Sequence, residues 1–248
     1  MSVSTSLPLK RNNLWAFWAL IAFSILFANA PVISWFLAPI TQFTTMVHEM
    51  GHALVCMATG GYVNGLTIVS DGQGHGGLTN CMGGNPFLYA QAGYLGTAVF
   101  GSFLIWLCQF PRAAKSCLCV MGGAFAMATL ALVGANVLHT GFQGFFSFVW
   151  GLAMSAFLVW AGIKWKPAAA NFLMLFLAVQ TALNSVTSLL YLAQFSMGLS
   201  PGGGWSDATN MQMMTGIPAA CWAIFWALSS IAMVGFTIWR VYGFRKNA

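Results

Sequence analysis

The sequence predicts an all-α polytopic membrane protein of about six to seven hydrophobic helices, with a β-hairpin after the second. Three observations predict it. Of 248 residues, 59% are hydrophobic and 5% charged, and the mean hydropathy is +0.78, outside the range of soluble globular domains. The apolar residues gather in stretches of roughly 20, the length that crosses about 30 Å of hydrocarbon. Lys and Arg fall in small clusters beside those stretches, at Lys10/Arg11, Arg112/Lys115, Lys164/Lys166 and Arg240/Arg245/Lys246. Such clusters act as membrane-flanking anchors and topology signals. The net charge of +6 is therefore spread along membrane edges, and nucleic acid is excluded as a partner.

The elements follow in order. The first apolar stretch, 13–30, stops at Pro31. No A-x-A-like cleavage site followed by a soluble domain appears, so it reads as a membrane helix and not a signal peptide. A second stretch, 32–59, ends in the helix-stopping pair Gly60-Gly61. Residues 62–80 then change texture: strand-like residues flank a turn at Asp71-Gly72, the signature of a hairpin. Four spans are expected at about 87–110, 116–136, 144–163 and 168–195. A polar, glycine-rich loop, 196–216, carries Asp207, and the last span runs over 217–241. No linker or repeat divides the chain, so residues 1–248 read as one integral membrane domain.

If the C-terminus is cytoplasmic, the clusters at 112–115, 164–166 and 240–246 all lie inside, as the positive-inside rule prefers. Seven complete crossings would then leave Lys10/Arg11 outside, and a re-entrant second segment would bring them inside. Four spans, an even number, separate the second stretch from the Asp207 loop, so the two emerge on one membrane face. The six cysteines are Cys56, Cys81, Cys108, Cys117, Cys119 and Cys221. Five lie in apolar segments with no regular spacing, and they read as small buried apolar residues and not as a disulfide framework.

The chemistry concentrates in the second stretch, in His48-Glu49-Met50-Gly51-His52, where Glu49 is the chain's only glutamate. In a helix, His48 and His52 lie on one face and can grip one metal ion. Glu49, one residue on, can reach a water on that metal as general base. With 4 His in the chain, shuffling would produce this pattern in roughly one chain in several thousand. A catalytic zinc site takes a third protein ligand. Asp207, at the mouth of the last span, is one candidate, and a helix N-cap for Ala208–Thr215 is its ordinary alternative. Asp71 is accounted for by turn chemistry. His75 reads as an exposed loop residue and His139 as a reserve ligand. Asn184, in an apolar helix, reads as an interhelical hydrogen-bond donor.

Val47-His48-Glu49-Met50-Gly51-His52-Ala53-Leu54, then Thr59-Gly60-Gly61 and a hairpin with Asp71-Gly72, resembles the site-2 protease-like intramembrane zinc metallopeptidases. The closest likeness is to their small bacterial branch without appended domains. Ala92-Gly93-Tyr94-Leu95-Gly96 resembles that branch's glycine-rich next helix, and Ser206-Asp207-Ala208 with Thr215-Gly216-Ile217-Pro218 its C-terminal aspartate segment. The resemblance implies zinc held by His48, His52 and Asp207, with Glu49 as the catalytic base. It also implies a hairpin, 62–80, that pairs with an unwound substrate segment by β-augmentation. The chain departs from better-studied members where alanine follows Asp207 and Tyr94 follows Gly93. Those members also turn the hairpin toward the cytoplasm, opposite to the face the charge pattern prefers here.

The expected function is thus a zinc metalloendopeptidase of the bacterial cytoplasmic (inner) membrane, cleaving transmembrane or membrane-proximal peptide bonds. Its expected partners are a membrane protein or peptide substrate, the lipid bilayer and the other members of a membrane complex. A non-catalytic scaffold or assembly subunit that keeps the fold is the alternative, and the intact Glu49 speaks against it.

Overall fold

The computed structural model describes residues 19, 22, 31–68, 76–134, 137, 141–196 and 206–242. Within them lie seven α-helices and one two-stranded antiparallel hairpin. Helix α1 spans Pro31–Ala58, strand β1 Tyr62–Thr67, strand β2 Leu78–Met82 and helix α2 Pro86–Leu107. Helix α3, Pro111–Ala128, runs on into a π-helical turn at Thr129–Val133. Helices α4 (Gly141–Lys164), α5 (Pro167–Ser196), α6 (Asp207–Thr215) and α7 (Ala219–Tyr242) complete the chain. The expected helix over 13–30 lies, except for Ala19 and Ala22, outside the described residues, as do Asp71, His75 and His139.

Prolines set several of these beginnings. Pro31, Pro86, Pro111 and Pro167 open α1, α2, α3 and α5, where a missing N–H costs nothing and the fixed φ suits the first turn. Gly60, just past α1, and Gly216, closing α6, have φ of 84° and 73°, the left-handed region that only glycine enters without strain.

Among the described residues, four helices are long and apolar enough to cross a membrane: Pro86–Leu107, Arg112–Val133, Gly141–Lys164 and Ala219–Tyr242. The HExxH helix α1 is not among them because Thr41, Gln42, Thr44, Thr45, His48, Glu49 and His52 interrupt its apolar character. It is nonetheless one continuous helix of 28 residues, about 42 Å long at 1.5 Å per residue, with no turn back on itself. In α5 the side chains are described without a break from Pro167 to Leu183, and that stretch is apolar. Within the polar segment expected over 196–216, Ser206 and Thr209 cap the short helix α6.

The helices bury two apolar clusters. The larger joins Phe43 and Met46 of α1, Leu66 of β1, Leu104 and Ile105 of α2, and Leu118, Leu158 and Met174 of α3–α5. The smaller gathers Ala208, Met211, Ala223 and Trp226 against Ala90 and Leu189. Small residues allow the close approaches, as membrane helices require. A Cβ on Gly122 would stand 2.8 Å from the Ser155 carbonyl oxygen of α4. Val120, Met127, Phe142, Leu228 and Phe236 point outward and are exposed, an apolar exterior that fits lipid.

Hairpin and HExxH helix are covalently joined. Cys56, in the last turn of α1, and Cys81, in β2, form a disulfide across 25 residues, with their Cα atoms 6.0 Å apart. This overturns the reading of every cysteine as an unlinked apolar residue. The pair meets only because β2 folds back along α1, a contact that spacing does not reveal. Cys108, Cys117, Cys119 and Cys221 are free. Hairpin register slips by one residue between Val63 and Gly65, a bulge that bends β1.

Candidate metal centre

His48 and His52 lie one helical turn apart on α1 with both Nε2 atoms turned to the same point, 3.1 Å from each other. Asp207, the first residue of α6, reaches that point from the far end of the chain. Its Oδ2 stands 3.3 Å from Nε2 of His48 and 3.2 Å from Nε2 of His52. Ligand atoms about 2.0–2.2 Å from a tetrahedral ion are about 3.3–3.6 Å from one another, close to the separations seen here. The three observed edges therefore fit one face of such a tetrahedron, and the fourth corner belongs to water or substrate.

The surroundings prepare the histidines for this use. His52 is buried, and its Nδ1 lies 2.7 Å from the carbonyl oxygen of Tyr89. A carbonyl only accepts, so Nδ1 carries the proton and Nε2 keeps its lone pair for a metal. The Tyr89 ring packs on His52 with centroids 4.6 Å apart, and Tyr94 packs edge-on against His48 at the same distance. Behind Tyr94 stacks the fully buried Trp226. Both imidazoles are thus held between α1 and α2.

Asp207 owes its aim to its neighbours. The N-cap of α6 is Ser206, whose side chain accepts from the Thr209 N–H while the Thr209 hydroxyl accepts from the Ser206 N–H. This capping box does the work the sequence left open for Asp207 and frees its carboxylate to face the histidines. At the first helical position it also sits at the positive end of the α6 dipole. Burial alone would raise the Asp207 pKa. Without a metal, protonated histidines outweigh burial, His52 by its charge and both by hydrogen bonds, and hold the carboxyl below the usual range; a bound metal would take the place of those protons.

Glu49 points to the hairpin side of the same helix and is buried. Its Oε2 accepts from the Thr79 hydroxyl at 2.7 Å, and that hydroxyl also lies 3.1 Å from the Glu49 carbonyl oxygen. Oε1 is unobstructed by Gly77, where a Cβ would intrude to 2.9 Å. The hydroxyl of Tyr89 in turn donates to the carbonyl oxygen of Thr79. One tyrosine of α2 therefore orients His52 through its backbone and pins β2 beside Glu49 through its side chain.

Glycines let α2 come this close. A Cβ on Gly93 would collide with the His48 imidazole and with Nε2 of His52. One on Gly51, within the motif, would stand 2.6 Å from the Ala92 carbonyl oxygen. Tyr89, Tyr94 and Thr79 carry no motif that marks them for a role in the site. One signal was available: two of only 5 tyrosines flank Gly93 in an otherwise apolar helix. Asn184 lies on α5 and its side chain is outside the described residues. Among the described residues, His48, His52 and Asp207 form the one group of three or more His, Cys, Asp or Glu placed to share a metal.

Comparison with known proteins places the chain in a family. A family model described as Peptidase M50B-like covers residues 15–237. No curated protein and no solved structure matches the chain.

Proposed function

Because the chain belongs to the Peptidase M50B-like family, whose members are site-2 protease-like metallopeptidases, we propose that it is a membrane-embedded zinc endopeptidase. In this reading it lies in the cytoplasmic membrane of a bacterium and cuts transmembrane or membrane-proximal peptide bonds. The observation that carries the reading is the convergence of His48, His52 and Asp207 at tetrahedral spacing, with the carboxylate of Glu49 on the next residue of the same helix.

Two imidazole nitrogens and one carboxylate oxygen are the donor set of a catalytic zinc, and they leave one corner open. Zinc bound there would lower the pKa of water and polarise the scissile carbonyl. The protein's own groups do the rest. Tyr89 holds the tautomer of His52, and Asp207 balances the positive charge with its carboxylate. Glu49 takes a proton from the attacking water on Oε1 while Thr79 holds Oε2, then delivers that proton to the leaving amine. The products are a carboxylate and an amine. Strand β2, fixed by the disulfide and by Tyr89, offers an extended edge beside Glu49 on which an unwound substrate segment can pair.

Glu49→Gln separates binding from chemistry, because it keeps the shape and the contact with Thr79 but cannot accept the proton. The purified variant should retain zinc like the wild type. Cleavage of a single-span reporter, followed by gel in membranes expressing each form, should fall by about 10²- to 10⁴-fold. Equal cleavage by both forms would remove Glu49 from the mechanism.

A further inference from the structure

We infer that the centre opens to the extracytoplasmic, oxidising side of the membrane, and that its substrate is a peptide segment presented from that side. The inference rests on the peptidase reading for its substrate and on two separate observations for its sidedness. The first is charge. From Asn12 to Pro111 the sequence holds no Lys or Arg, and every later one lies at 112, 115, 164, 166, 240, 245 or 246. The five in described segments gather at one end of the bundle. Arg112 and Lys115 open α3, Lys164 closes α4, Lys166 precedes α5 and Arg240 lies in the last turn of α7. The Lys115 ammonium donates to the Ile163 carbonyl oxygen at 3.0 Å, which ties the start of α3 to the end of α4. Tyr242, at the end of α7, lies near Cys108, which caps α2 only three residues before α3 begins.

The metal centre lies toward the other end. The Asn85 N–H donates to the Thr59 hydroxyl at 3.0 Å, joining the end of α1 to the start of α2. Phe87 and Trp222 bring the start of α7 to the same level. Tyr89, Gly93 and Tyr94 fall early in α2, a helix of 22 residues and about 33 Å. Positive clusters mark the cytoplasmic face of a membrane protein. The site therefore occupies the outer half of the bundle.

The second observation is the Cys56–Cys81 disulfide, at that same outer end. Disulfides persist in oxidising compartments and are rare where cytosolic thiols keep cysteines reduced. This bond also clamps β2 to the HExxH helix, so the strand proposed to pair with substrate is fastened by chemistry available on one side only. The substrate class that follows is the extracytoplasmic end of a transmembrane segment, or a peptide reaching the membrane from outside.

The test reads position and not cleavage. In a chain with Cys108, Cys117, Cys119 and Cys221 replaced by Ala, one reporter cysteine is placed at Met213, exposed on α6, or at Lys166. Intact cells are treated with a membrane-impermeant maleimide polymer, and mass shifts are read on gels. Met213→Cys should shift in intact cells, and Lys166→Cys only after permeabilisation. In the parent without a reporter, Cys56 and Cys81 should take up polymer only after reduction. Labelling of Lys166→Cys equal to or ahead of Met213→Cys overturns the inference, as does modification of Cys56 and Cys81 without reductant. A chain that labels as expected yet cleaves nothing would remove the peptidase reading and leave the sidedness standing.

Discussion

Gly93 shows how much of this site depends on one missing side chain. Without it, the α2 backbone could not lie against both imidazoles, and Tyr89 O could not reach Nδ1 of His52. Gly93→Ala would force α1 and α2 apart at the level of the metal. Overpacking of this kind costs about 1–3 kcal/mol, and the loss should fall on metal retention first. We expect a lower midpoint of thermal unfolding in detergent together with reduced zinc per chain. The neighbouring Tyr94→Phe keeps the ring packing on His48 and should retain zinc. Equal zinc in wild type and Gly93→Ala would show that α2 need not approach the histidines so closely. At this scale the motif residues were legible from the sequence, because helical spacing alone brings His48 and His52 to one face. Tyr89 and Thr79 were not, since each acts through a contact that exists only after α1, β2 and α2 pack.

Elements carry the next level of order. The boundaries of α2 to α5 and α7 follow the apolar stretches closely, and β1 falls on the strand-like residues that precede the expected turn. What the sequence left hidden was the docking of that hairpin along α1, and with it the disulfide. A link closing 25 residues restricts the unfolded chain and stabilises the fold by about 3 kcal/mol. Replacing Cys56 and Cys81 together by Ser should lower the unfolding midpoint and loosen β2 from Glu49, so cleavage falls while zinc is retained. An unchanged midpoint would mean that the Thr79 and Tyr89 contacts hold the strand unaided. The short helix α6 was hidden for a different reason. Its nine residues are too polar to register as a membrane helix, and only the Ser206–Thr209 capping box explains why Asp207 is free to turn inward.

The whole molecule brings a helix near its beginning and a helix near its end to one point. Four intervening helices, α2 to α5, return the chain to the membrane face it left, so the even count read from the sequence agrees with the proximity of Asp207 to the histidines. The same count puts every described basic residue at the opposite end, giving the bundle a sided architecture with the site toward one end and the basic residues at the other. A metal held by His48, His52 and Asp207 would join α1 to α6, and its binding would be coupled to the packing of the bundle. The measurement that bears most directly on this account is zinc content, by elemental analysis of protein purified in detergent, for wild type and Asp207→Ala. Wild type should hold about one zinc per chain, as expected for a mononuclear catalytic site, and Asp207→Ala should lose most of it. Wild-type protein without zinc, or Asp207→Ala with undiminished zinc, would contradict it.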